Sequence, residues 1–371
     1  MLIHVERDRI PEDFTTMPVV IYGGGHFGGI VHRILSEHAI KPSYVIDDNE
    51  DVWGTRLGTT EIVSFKSFVD VSRGKGEVAV VLGTIYGKQV LAKLVELPFV
   101  RAYEMYDWLD DGDGLPMTRS DLEDATEVDR LRSNMRDISS LWADEESRRV
   151  MDGIVRYIET LDRGVIMDIC TTDEQYFIPE IVEAIRARRQ ALRIVDGGAY
   201  RGELRHVFRK KSLPVEKWWC FEADQENFEK LLHHSRVDPS MEGIQVCIGK
   251  GLWSASGSLW FDDGRETASK IADRETGERV DVVSIDDYFR DMSCNFIKMD
   301  IEGAELEALK GAVRTIQEDR PIMAISIYHS LADFWRIPYW LAEHLAGYRY
   351  IVRHHSMVFC ETVLYAIPDE L

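Results

Sequence analysis

Residues 193–203 read Arg193-Ile194-Val195-Asp196-Gly197-Gly198-Ala199-Tyr200-Arg201-Gly202-Glu203: an apolar strand, an acid, then a glycine-rich turn. Asp196, Gly198 and Gly202 spell D-x-G-x-x-x-G, which suits a strand-to-helix loop where a ligand lies against bare backbone. A Cβ there would hold the ligand off, and the tightest bend calls for positive φ. The nearby acid suits hydroxyl or ammonium groups better than a pyrophosphate. That points to S-adenosylmethionine rather than NAD. Glycine-rich turns also serve purely structural ends, so the motif gains weight only together with the strands downstream of it.

Lys217 to Phe221 read as a second buried strand ending at Glu222, 26 positions after Asp196. An acid at the tip of the second strand is where ribose hydroxyls are gripped in dinucleotide-type folds. Ala223 comes next, and Asp224 can cap a helix whose Phe228, Leu231 and Leu232 share a face. A third strand runs through Asn295, Phe296, Ile297, Lys298 and Met299 into Asp300, Ile301, Glu302, Gly303, Ala304 and Glu305. The next helix is expected to carry Leu306, Leu309, Val313 and Ile316 on one face.

With D-G-G-A-Y-R-G upstream and F-E-A-D between, residues 298–305 match K-x-D-x-E-G-x-E in full. Over about residues 170–367 the chain thereby resembles the FkbM family of S-adenosylmethionine-dependent methyltransferases. The resemblance implies a Rossmann-like (class I) methyltransferase sheet. In it Asp196, Gly197, Gly198, Ala199, Tyr200, Gly202, Glu222, Ala223 and Asp300 would hold the cofactor. Gln175-Tyr176-Phe177 resembles a Q-Y-F segment of the family that folds over the cofactor mouth; packing of Tyr176 under the first strand is the alternative.

Composition narrows the partners. The 371 residues suffice for two or three domains, and 45% hydrophobic with 29% charged residues is ordinary for a globular protein. A formal net charge of −21 and a pI near 5.0 repel a phosphate backbone, so no nucleic acid is expected. Five scattered cysteines without C-x-x-C pairing read as reduced thiols. With no leader-like segment and no apolar run long enough for a bilayer, the expectation is a cytoplasmic protein without a membrane partner.

The N-terminal third repeats the α/β theme. Val19 to Tyr22 feed Gly23-Gly24-Gly25-His26-Phe27-Gly28, a G-x-G-x-x-G turn. A helix comes after it with Ile30, Val31, Ile34 and Leu35, then a strand Tyr44 to Ile46 ending at Asp47. Further strands are expected at Val78 to Leu82 and about Ala102 to Met105, separated by a helix bearing Val90, Leu91, Leu94 and Val95. Residues 1–17 read as a loosely docked lead-in. The segment looks like the nucleotide-binding domain that precedes sugar-modifying enzymes, which would make a nucleotide-linked sugar a ligand. A fold that keeps its glycine turn for packing alone stands beside that reading.

The domains expected are an N-terminal Rossmann-like α/β domain over 1–110, a helical connector over 111–169 and the methyltransferase domain over 170–371. The connector's apolar stripe is Leu131, Met135, Ile138 and Leu141. Gln245 to Ile248 read as a third strand of the later sheet, and Gly249 to Trp253 as a turn near the adenine. Ser258 to Phe261 read as a short strand leading to a polar loop, and Ile322 to Tyr328 as the fifth strand. Tyr348 to Arg353 and Thr362 to Ile367 are expected to close the sheet as a terminal antiparallel hairpin.

Ligands of doubly wound sheets lie outside the carboxyl ends of the strands, and here those ends carry Asp196, Glu222, Asp300 and His329. The first two face a cofactor and the last two a methyl acceptor. His329 is the first candidate base, its pKa ordinarily near neutrality, with Asp300 and Glu302 as acceptor-binding or orienting carboxylates. Glu305 is read as serving the helix dipole. His354 and His355 read either as surface residues or as reaching the mouth. An alternative makes Asp300, His329 and His354 ligands of a divalent metal that polarises a diol, although no metal-binding spacing supports it. The reaction expected is O-methylation of a sugar-type or other small hydroxylated acceptor, by a chain that pairs as a homodimer. The rivals are an NAD(P)-dependent oxidoreductase using the N-terminal turn, and a non-catalytic nucleotide-sensing or scaffold protein.

Overall fold

Val19–Tyr22 and Val78–Leu82 are buried at every position, as central parallel strands covered on both faces must be. The computed structural model describes residues 2–109, 117, 122, 124–262 and 277–371. They fall into two compact units: residues 1–115, 166–172 and 356–358 in the first, and 116–165, 173–355 and 359–371 in the second.

The first unit contains β1 (Leu2–His4), α1 (Asp13–Thr16), β2 (Val19–Tyr22), α2 (His26–Glu37), β3 (Tyr44–Ile46), β4 (Arg56–Leu57), β5 (Thr60–Val63), α3 (Phe65–Ser72), β6 (Val78–Leu82), α4 (Gly87–Leu94) and β7 (Val100–Glu104). The sheet order is β1-β7-β6-β2-β3-β5-β4, parallel except for β4 against β5. Ile30, Val31, Ile34 and Leu35 of α2 are all buried. Residues 1–17 are not a loose lead-in. Leu2–His4 pair with Ala102–Glu104 in the sheet, while Phe14 is buried against Tyr103. The glycine turn is tight: a Cβ on Gly28 would lie 1.9 Å from the Gly23 carbonyl oxygen, and Gly23 has φ +113°. Asp47 accepts the Gly24 N–H at 2.6 Å and the Asn49 N–H at 2.8 Å.

The second unit begins with α5 (Ala125–Asp137) and α6 (Glu145–Thr160), followed by α7 (Arg163–Ile169), which crosses into the first unit. Next come α8 (Pro179–Arg188), β8 (Leu192–Gly197), α9 (Leu204–Lys211), β9 (Val215–Phe221), α10 (Gln225–Val237) and β10 (Gln245–Ile248). A small sheet is made by β11 (Gly251–Leu252), β12 (Gly257–Asp262) and β13 (Gly277–Val283). The polar loop expected after Phe261 lies largely outside the described residues. The chain then forms α11 (Ile285–Tyr288), β14 (Phe296–Met299), α12 (Glu305–Lys310), α13 (Val313–Asp319), β15 (Ile322–Ser326), α14 (Asp333–His344), β16 (Tyr348–His354) and β17 (Thr362–Pro368).

The main sheet runs β10-β9-β8-β14-β15-β17-β16, parallel through β15 and antiparallel for the last two strands. The order reverses between β8 and β14, so a crevice opens at their carboxyl ends. Beneath it, Phe177 stacks on Phe296 at 5.3 Å, and Phe208 meets Trp218 edge-on at 5.2 Å.

Residues 116–165 cluster with this second unit. Ser147 of α6 accepts the Val352 N–H, and Arg353 of β16 donates to Asp144 at 2.8 Å and Glu180 at 2.7 Å. The helix expected to carry Leu306 through Ile316 is in fact two, broken at Gly311 and Ala312. A Cβ on Gly311 would lie 2.2 Å from the Trp253 carbonyl oxygen, so glycine there admits the neighbouring loop where a regular helix would exclude it. His354 and His355 are buried rather than on the surface. His354 meets the Thr362 hydroxyl, its partner across β16 and β17.

Candidate functional site

Lys298 gathers the turn at the end of β8. Its strand, Phe-Ile-Lys-Met, is buried throughout, and a lysine there is tolerable only if paired. Its ammonium donates to the carbonyls of Gly197 (3.1 Å) and Gly198 (2.7 Å) and pairs with Asp196 at 3.2 Å. Burial opposes its charge, but Asp196 and Asp300 hold its pKa above the ordinary value. The other Asp196 oxygen accepts the Trp218 indole N–H at 3.0 Å. Asp196 is therefore committed to protein partners and organises the turn from beneath.

The turn itself demands small residues. Gly198 has φ +68°, and a Cβ on it would lie 1.8 Å from the Asp300 carbonyl oxygen. Tyr200 is left-handed at φ +50° despite its side chain, as such residues are where the surroundings dictate the backbone. Its N–H points at Glu222, which accepts it at 2.8 Å on Oε2 and accepts the Asp224 N–H at 2.9 Å on Oε1. The carboxylate at the tip of β9 thus turns toward the glycine bend. Burial raises its pKa. Ala223 adjoins it at the strand end, while Ala199 is buried and Gly202, at φ +77°, backs onto Gln245 and Leu231.

Beyond β14 and β15 lies a second group centred on Asp300. Tyr176 donates to it at 2.7 Å and Tyr328 at 3.2 Å, and His329 Nε2 lies 3.4 Å away. Burial opposes its ionisation, but Lys298, His329 and the Tyr176 hydroxyl hold its carboxyl below the ordinary value. Tyr176 is itself left-handed (φ +64°), its N–H held by the Tyr365 hydroxyl at 3.2 Å. That hydroxyl donates onward to His355 Nε2 at 2.7 Å, because His355 Nδ1 must carry a hydrogen to meet the Asp173 carbonyl at 3.3 Å. Burial accordingly lowers the pKa of His355 to about 3.

His329 is enclosed by acids. Glu305 Oε1 lies 3.1 Å from Nδ1, while Asp300 (3.4 Å) and the exposed Glu302 (3.6 Å) approach Nε2. Burial alone would lower its pKa, yet Glu305, Asp300 and Glu302 push it up to about 10. The imidazole expected to titrate near neutrality is therefore a cation at neutral pH. Glu361 and Asp333 flank the group, raised by burial to about 8 and about 6.

The cofactor-side residues Asp196, Gly197, Gly198, Ala199, Tyr200, Gly202, Glu222 and Ala223 form one turn and one strand tip. Tyr176, Asp300, Glu302 and His329 form the second group, linked to the first through Lys298. His354 is not part of it; Glu305 stands in its place among the groups able to hold a metal. Glu305 also accepts the Ile301 N–H at 2.8 Å, so it does more than serve a helix dipole. Sequence reasoning assigns no role to Lys298, Tyr328, Glu361 or Tyr365. Only Lys298 carries a signal, as a charge within an apolar strand.

No helix among the described residues is long and apolar enough to cross a membrane. No curated protein matches the sequence. Among solved structures, the crystal structure of methyltransferase FkbM from Methylobacillus flagellatus KT is similar, with a TM-score of 0.56 and 20% identity over 96% of this chain and 94% of that one. At that identity the likeness speaks for the fold, across both units. The family model described as the Methyltransferase FkbM domain matches residues 196–350, a span that starts at the acid before the glycine turn and contains Glu222, Lys298, Asp300 and His329. Residues 196–350 are thus a domain of the FkbM methyltransferase family.

Proposed function

We propose that the protein is an S-adenosylmethionine-dependent O-methyltransferase acting on a sugar-type or other small hydroxylated acceptor. The observation that carries this is the convergence of Glu222 on the bare-backbone turn, where its Oε2 meets the Tyr200 N–H at 2.8 Å. Each Glu222 oxygen has one backbone N–H and keeps a lone pair for a ribose hydroxyl. Gly197 and Gly198 let the turn pack directly on Asp300 and Ile301, which brings its backbone beside Glu222, and it is this carboxylate with its free lone pairs that fits an adenosyl ribose. The cofactor, when bound, supplies a methyl group on an activated sulfonium.

The chain's own share is positioning and proton management. Lys298 and Asp196 fix the turn, and Tyr176 and Tyr328 orient Asp300. With His329 already protonated, the ionised Asp300 is the carboxylate placed to accept a hydrogen bond from an acceptor hydroxyl. The carboxylates around it match the hydroxyls of a polyol.

Calorimetry of the full chain with S-adenosylmethionine, S-adenosylhomocysteine, NAD and a nucleotide sugar tests this reading. We expect both adenosyl compounds to bind. Binding of NAD with no adenosyl compound bound would instead favour the oxidoreductase.

A further inference from the structure

The enclosure of His329 leaves buried carboxylate oxygens beside the ring without a hydrogen bond. His329 is 1% exposed and Glu305 0%. The ring nitrogens of His329 have carboxylates beside them but no hydrogen bond of good geometry, and Glu305 Oε2 has no partner. Asp333 Oδ2, on the neighbouring buried carboxyl, also lacks one. Buried polar atoms without partners are few in folded proteins, and each one raises the free energy of the fold. Two such carboxylate oxygens, Glu305 Oε2 and Asp333 Oδ2, beside one buried imidazole mark the cluster as a place for a ligand.

Charge and geometry say what. Asp300, Glu302 and Glu305 face a single imidazole, so even the protonated ring leaves the group net negative. Asp300, Glu305 and His329 each offer one ligand atom, and these atoms lie within 4.8 Å of one another. Small side-chain rotations bring atoms at that separation onto one ion, whose ligands stand at about 2.0–2.2 Å. The donors come from three segments: the end of β14, the first turn of α12 and the stretch after β15. We propose that Asp300, Glu305 and His329 bind a divalent first-row transition-metal ion, such as Mn2+ or Zn2+. One imidazole nitrogen with carboxylate oxygens favours such ions over Mg2+ or Ca2+, which take oxygen alone. The site does not depend on the methyl-transfer reading, because the ion binds whether or not an adenosyl compound does.

The test uses the full chain stripped with a chelator, then titrated with Mn2+ followed by electron paramagnetic resonance and with Zn2+ by calorimetry. One ion per chain is expected. His329→Gln and Glu305→Gln should each weaken it at least tenfold, the loss seen on removing even an outer partner of a metal site. His233→Gln, on a histidine elsewhere in the unit, should leave it unchanged. Circular dichroism and S-adenosylhomocysteine binding, measured on the same samples, report folding and the cofactor reading separately. Failure of the wild-type chain to take up either ion at millimolar concentration overturns the proposal. So does unchanged affinity in a folded Glu305→Gln chain, whatever becomes of His329→Gln.

Discussion

Glu222 shows how one side chain serves two ends. It satisfies two backbone N–H groups that would otherwise face a crevice, and it offers its remaining lone pairs outward. Glu222→Ala should therefore weaken S-adenosylhomocysteine binding by on the order of a hundredfold, through charged hydrogen bonds lost to two hydroxyls. Calorimetry reads this directly, and an affinity within a factor of two of wild type would remove Glu222 from the cofactor site. Its position was legible from the chain alone, since an acid at the tip of a second strand has a standard use. The protonation of His329 was not. Nothing near position 329 announces that Glu305, 24 residues earlier, will lie 3.1 Å from its ring.

At the scale of elements, β14 is the strand on which both halves of the site are mounted. Its register places Lys298 beside Asp196 of β8 and Ala324 of β15. Breaking such a buried pair by removing one partner typically costs about 3–5 kcal/mol, because the other charge is left uncompensated. Lys298→Met should lower stability by roughly that amount in urea denaturation. Pairing it with Asp196→Asn should recover part of the loss. A Lys298→Met chain as stable as wild type would mean that Asp196 needs no cation. The long central strands were readable from apolar runs, whereas β1, β4 and β5, at two to four residues, were too short and too polar to stand out.

Across the whole molecule, stability should carry the mark of His355. Its folded pKa of about 3 lies below the ordinary 6.5, so the unfolded chain takes up a proton that the folded one refuses. Its contribution is fully present above 6.5 and is lost as pH falls toward 3, since unfolding binds more protons in that window. His355→Gln should flatten the acid limb of the stability profile between pH 7 and pH 4, with urea midpoints as the measurement. An acid limb as steep as wild type would place the acid sensitivity in other groups.

The periodicities, the two glycine turns and the acids at the strand tips could be read from the chain, because these depend on neighbours within a few residues. They therefore specified two α/β units and the half of the site built from 196–222. The other half is assembled by contacts distant in the chain. Tyr176 reaches Asp300 because its N–H hangs from Tyr365, and Tyr365 in turn engages His355. Bonds between residues up to 189 positions apart leave no trace in local pattern, and the protonation of a buried histidine depends on which carboxylates the fold brings around it.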